Sequence, residues 1–181
     1  ALIDRAPADL SAGESLALAA LALDLGDRDR SVAARNRARE KGTATGELPD
    51  GAAFAQVTLA LDGAAALPRV LAALEATPPD AAGVQRAVAA LATAPAAAVR
   101  TAAGRWLTDP RLVPVALGYL ATTAPDPVDL LTRLWKSNPA LAAGCARLLT
   151  DTGLPAARLA VYALAPPSLD QPAAIWEVAR A

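Results

Sequence analysis

The chain has 181 residues, 54% of them hydrophobic and 3% aromatic, with 17 basic and 18 acidic side chains and a net charge of −1. One domain is the natural expectation at that length, and the near-neutral balance argues against the basic surface of a nucleic-acid-binding domain. Histidine is absent, which excludes Ser-His-Asp and Cys-His nucleophilic arrangements and most zinc sites.

Residues 1–10 read as the tail of an earlier element, broken at Pro7. Ser11 and Glu14 form a capping-box pattern ahead of a predicted helix over 12–25. Leu16, Ala19, Ala20 and Leu23 give this helix its apolar stripe, broadened by Leu18 and Leu21. Gly26 suits the left-handed position that ends a helix. Asp27 or Asp29 caps a second helix running to Lys41 and stopping at Gly42, with a thin apolar face of Val32, Ala33, Ala34 and Ala38. Residues 43–49 are predicted as a loop. Asp50 caps a third helix to about Leu61, Asp62 and Gly63 form a turn, and a fourth helix spans 65–76.

Beyond that point prolines set the rhythm. Pro79, Pro95, Pro110, Pro127, Pro139, Pro155 and Pro172 follow one another at intervals of 12 to 17 residues. Proline suits the first turn of a helix, where its missing N–H would have no partner anyway. Asp109, Asp126 and Asn138 precede three of them as cap residues. The cadence predicts helices over 81–92, 95–107, 110–122, 127–137, 139–150, 155–165 and 169–181, the last behind a capping-box pattern from Ser168 to Gln171. Pro68 and Pro114 each threaten the helix start in which they lie. No segment alternates strictly enough to predict a strand.

Short links make antiparallel neighbours, and a helix about every sixteen residues gives a hairpin of about 32, the period of a helical-repeat array. Helices this short cannot bury their own apolar faces and must be covered by neighbours. The expected fold class is therefore all-α: a superhelical array of antiparallel helix hairpins with ten or eleven short helices. One helical-repeat domain covers residues 1–181, and the chain is expected to be a piece of a longer array.

Residues 15–38 resemble a tetratricopeptide repeat. That family places small residues where two helices cross and a glycine in the turn; Ala19, Ser31 and Ala38 match the former and Gly26 the latter. Ala146, Leu149, Gly153, Tyr162 and Ala165 resemble a second copy. Arg158 stands where the repeat wants a small residue, with Ala157 beside it, and Arg35 replaces a large apolar residue. Residues 64–138 keep the period without the consensus, and a HEAT-like array fits the same period. The alanine-rich, lysine-poor composition looks bacterial. Arrays of this style resemble periplasmic scaffold regions of exopolysaccharide secretion proteins and superhelical domains of some lytic transglycosylases.

The search for chemistry is brief. Cys145 lies in a small-residue stretch and is expected to be buried packing. Asp24, Asp27 and Asp29 lack the glycine and terminal Glu of a calcium loop. Gly42 to Gly46 lacks the Lys-Ser/Thr of a P-loop. The basic run Arg28, Arg30, Arg35, Arg37, Arg39 and Lys41 is diluted by Asp27, Asp29 and Glu40, and reads as a solvated helix face. No catalytic residue, cofactor or metal ligand is assigned, and no apolar run is long enough to span a membrane without a charge or proline.

Trp106, Trp135 and Trp176 stand out in a chain with one Phe and two Tyr. On a concave repeat surface they could stack on a sugar or anchor a peptide, with Arg105 and Arg133 beside them binding acidic groups. The competing expectation is that they fill the larger gaps of an alanine-rich core. The resemblance implies a non-catalytic scaffold that binds a protein partner, within an envelope or exopolysaccharide secretion assembly in the periplasm. The alternative is the superhelical, non-catalytic domain of a larger enzyme such as a lytic transglycosylase. Direct binding of polysaccharide by the tryptophans is a third expectation.

Overall fold

The computed structural model describes residues 10–45 and 50–164. Among the described residues every regular element is helical. The ten α-helices are α1 (Ala12–Asp24), α2 (Arg28–Thr45), α3 (Gly51–Asp62), α4 (Leu67–Ala76), α5 (Ala81–Ala92), α6 (Ala96–Trp106), α7 (Val113–Thr123), α8 (Pro127–Ser137), α9 (Ala142–Asp151) and α10 (Pro155–Leu164). Two 3-10 turns, Gly63–Ala66 and Pro139–Leu141, precede α4 and α9. The helix expected over 169–181, with Pro172 and Trp176, lies outside the described residues.

The local signals account for most helix ends. The Ser11 hydroxyl accepts from the Glu14 amide at 3.1 Å, and the Glu14 carboxylate accepts from the Ser11 amide at 2.8 Å. Asp50, Asp80 and Asp126 cap α3, α5 and α8 by accepting from the amides of Ala52, Gly83 and Asp129. Pro127 and Pro155 are the first residues of α8 and α10, and Pro95 caps α6. Gly26 and Gly153 take positive φ at 76° and 67°, turning the chain between α1 and α2 and between α9 and α10.

Three starts and one end differ from the sequence expectation. Helix α7 begins at Val113, not at 110. Asp109 spends its carboxylate on the amide and guanidinium of Arg111, and its carbonyl closes a turn with the Leu112 and Val113 amides. Pro114 then sits in the first turn. Pro68 does the same for α4, so residues 63–66 form a 3-10 turn ahead of it. Asn138 caps the 3-10 turn at Pro139 by accepting from the Ala140 amide, and α9 itself starts at Ala142. Helix α2 continues through Gly42 to Thr45, where the sequence predicts a stop; glycine in a helix costs only about 1 kcal/mol.

Packing runs stepwise along the chain. The odd-numbered helices form a succession, α1 on α3, α3 on α5, α5 on α7 and α7 on α9. Neighbours in sequence complete it, notably α1 with α2, α3 with α4, α6 with α7, α7 with α8 and α9 with α10. Among the described residues none of the principal contacts joins helices more than two positions apart. The core follows the same plan. An N-terminal cluster contains Leu10, Leu16, Ala19, Ala34 and Val57, a central one Leu74, Leu91, Val99, Trp106 and Tyr119, and a C-terminal one Leu117, Leu131, Cys145 and Leu149. Phe54 packs against the first two clusters and Leu107 against the last two, so the apolar interior is continuous from one cluster to the next.

Small residues set the spacing between successive odd helices. A β-carbon on Gly83 would come within 3.2 Å of Ala52 of α3; one on Gly118 would meet Val88 of α5 at 2.9 Å; one on Gly144 would meet Leu117 of α7 at 2.6 Å. Each contact in the succession from α3 to α9 therefore includes a glycine with no room for a side chain, which suits the close packing of an alanine-rich core. Residues 51–76 are apolar and long enough to cross a membrane by length and composition, with a mean hydropathy of 1.5. They form two helices that pack against each other about Gly63 (φ 65°) and not one rod, and α3 is largely enclosed by α1, α4 and α5.

Candidate interaction surface

Of the residues that the sequence reading compared with a tetratricopeptide repeat, those of α1 and α2 pack together, and Ala165 and the Tyr162 side chain lie outside the described residues. Ala19, Ser31 and Ala38 are all buried, and the Ser31 hydroxyl of α2 donates to the Ala19 carbonyl of α1 at 2.8 Å. Near the other end Ala157 is fully buried and Arg158 is exposed, so the alanine supplies the small contact and the arginine extends into solvent. Arg35 does not fill an apolar position: its guanidinium donates to Asp62 at the end of α3 at 2.6 Å.

Of the five residues considered for partner binding, the four described ones do not form a single group. Trp106, at the end of α6, is 2% exposed within the central core. Its indole Nε1 donates to Glu75 Oε1 of α4 at 2.9 Å, and the Arg105 guanidinium reaches the same oxygen at 3.4 Å. Trp135 on α8 is half-buried against the C-terminal cluster. Arg133 is exposed and pairs with Asp129 one turn earlier on the same helix at 2.8 Å. Trp106 and Trp135 thus belong to different core clusters, and only Arg105 and Trp106 converge, on Glu75. Trp176 lies outside the described residues.

The sequence reading missed a cluster of charges around the C-terminal end of α3. Asp62 is shared by two guanidiniums: Arg35 of α2 at 2.6 Å and Arg69 of α4 at 3.3 Å. Arg28 of α2 donates to the neighbouring Leu61 carbonyl at 2.9 Å. The Arg35 hydrogen bond is the main cause that holds the Asp62 carboxyl below the usual carboxylate range, with partial burial opposing it. The run from Arg28 to Lys41 was visible as basic, but its partners are remote in sequence, and Asp62 read only as a turn residue.

Elsewhere the chemistry is that of packing. Cys145 is buried on α9, and desolvation pushes its thiol pKa up, away from the reactive thiolate. Arg111 holds the Asp109 carboxyl below its ordinary range through the side-chain hydrogen bond within their turn. Among the described residues no three Cys, Asp or Glu side chains converge as a metal site would require. No protein-family model, curated protein or solved structure matches the chain.

Proposed function

We propose that this chain is a non-catalytic interaction scaffold, an open array of helix hairpins of tetratricopeptide type that presents side chains from successive hairpins to a protein partner. The observation that carries the reading is the stepwise packing: each helix makes its principal contacts with helices one or two positions away. Stability in such an array is a sum of local units and nearest-neighbour interfaces, and its extended surface is what repeat proteins use for binding. The Ser31–Ala19 contact at the first hairpin crossing supports the family-level part of the reading.

Small-angle scattering over a concentration series, followed by affinity capture from a lysate of the source cell, tests both parts. A compact globule of this length has a radius of gyration of about 16 Å; a clearly larger, concentration-independent value is expected. A value near the globular one would overturn the open array. Recovery of a stoichiometric protein partner is expected, and failure to recover one despite an extended shape would overturn the scaffold function while leaving the architecture standing.

A further inference from the structure

We propose that Arg28, Arg35 and Arg69 form a binding site for a phosphate monoester dianion at the C-terminal end of α3. The inference stands apart from the scaffold reading. Three guanidiniums from α2 and α4 converge on one carboxylate and one carbonyl, those of Asp62 and Leu61. The pairs Arg105–Glu75, Arg111–Asp109, Arg133–Asp129 and Arg147–Asp151 each match one cation to one carboxylate. The cluster at Asp62 differs from these pairs of the described residues in bringing two guanidiniums to a single carboxylate.

The uncommitted guanidinium donors select the ligand. Three arginines converge here around one aspartate, while Asp27 and Asp29 flank Arg28 in the sequence and the negative end of the α3 dipole offsets about half of one charge. A phosphate monoester carries about −1.5 to −2 at neutral pH and three acceptor oxygens, more charge and more acceptors than a carboxylate brings to the same guanidiniums. Each guanidinium has five N–H donors in a fork suited to bidentate oxyanion contacts. Arg28 and Arg69 are both exposed and commit one bond each to the cluster, so donors remain for a ligand. Arg35 is nearly enclosed, at 19% side-chain exposure, and fixes the floor. Asp27 caps α2 through the Arg30 amide and keeps its charge beside Arg28, and Asp62 is the carboxylate that competes directly for Arg35 and Arg69.

Calorimetric titration with inorganic phosphate, and with a phosphoserine peptide beside its unphosphorylated and glutamate counterparts, tests the site. Both phosphate probes are expected to bind the wild-type chain, and Arg28→Gln and Arg69→Gln are each expected to weaken them at least about fivefold. Asp62→Asn is expected to tighten them, a sign that a purely structural ion-pair network would not produce. Tighter binding of the phosphopeptide than of free phosphate identifies a modified protein side chain as the source; equal binding identifies the free ion. No binding of either phosphate probe at about 10 mM, wild-type affinity in both arginine variants with native circular dichroism, or equal binding of the glutamate peptide would each overturn the proposal.

Discussion

The Trp106 indole and the Glu75 carboxylate are joined across 2.9 Å, tying the end of α6 to the end of α4 two helices earlier. The indole body is buried with Leu74, Val99, Ala102 and Ala103 in the central core, while its N–H reaches a carboxylate that is 43% exposed. A large aromatic with one polar edge suits such a place, filling volume inside and satisfying its donor at the boundary.

Replacement of Trp106 therefore separates the two contributions. Trp106→Ala should cost about 3–5 kcal/mol through the cavity it leaves. Trp106→Phe should cost about 1–2 kcal/mol, for lost volume and one hydrogen bond. Glu75→Gln keeps an acceptor and should stay within about 0.5 kcal/mol of wild type. Urea unfolding midpoints measure all three. A Trp106→Ala variant as stable as wild type would mean that the indole does not fill the core.

The contrast between Trp106 and the prolines shows what the sequence could reveal. Pro127 and Pro155 mark helix starts through their own φ and missing N–H, so nearby residues suffice to read them. Asp109 ahead of Pro110 carried the same local signal, but the second proline at 114 and the bond to Arg111 moved the helix start. The Trp106–Glu75 and Arg35–Asp62 bonds span 31 and 27 residues. No spacing rule reaches that far without knowing how the helices pack. The glycines at helix crossings share this difficulty: Gly118 and Gly144 look like weak points in their helices until Val88 and Leu117 are seen against them.

Two glycine substitutions should act in opposite directions. Gly104 lies inside α6, exposed, with nothing within 4 Å of the place a β-carbon would occupy. Gly104→Ala should raise stability by about 0.5–1 kcal/mol through helix propensity alone. A β-carbon on Gly51 would run into the Thr77 carbonyl oxygen and approach that of Ala73 at 3.2 Å, both backbone atoms near the end of α4. Gly51→Ala should lower stability by about 1–3 kcal/mol, because backbone cannot rotate aside as a side chain can. Thermal unfolding of both variants checks the pair, and a stabilised Gly51→Ala would rule out that close approach of α3 and α4.

Acid should loosen the junction of α2, α3 and α4. The Asp62 pKa is lowered in the folded chain, chiefly by the Arg35 hydrogen bond. A depressed carboxyl contributes stability that is present above its unfolded pKa of about 3.9 and lost as pH falls through the folded value. The stability gap between wild type and Asp62→Asn should therefore be open at neutral pH and close progressively below about pH 4. Solvent reaches the pair and keeps the gap modest. Chemical denaturation at a series of pH values measures it, and a gap that stays constant into acid would show that the carboxylate charge contributes nothing at this junction.

The interior also contains polar atoms whose removal should help. Ser15 on α1 is fully buried and Thr58 on α3 is 2% exposed, yet neither hydroxyl oxygen has a hydrogen-bond partner. Ser31 is equally buried, but its hydroxyl is satisfied by the Ala19 carbonyl. Burying a hydroxyl without a partner costs about 1–3 kcal/mol, whereas a partnered hydroxyl contributes about 1 kcal/mol net. Ser15→Ala and Thr58→Val keep nearly the same shape and remove the unpaired oxygen, so each should leave stability unchanged or raise it by up to about 1 kcal/mol. Ser31→Ala should lower it by about 1 kcal/mol. Denaturant midpoints for the three variants test the distinction. If all three are destabilised alike, Ser15 and Thr58 also have bonded partners, a buried water being the chemistry that fits; if only Ser31→Ala is, the α1–α2 crossing owes part of its stability to a single hydroxyl.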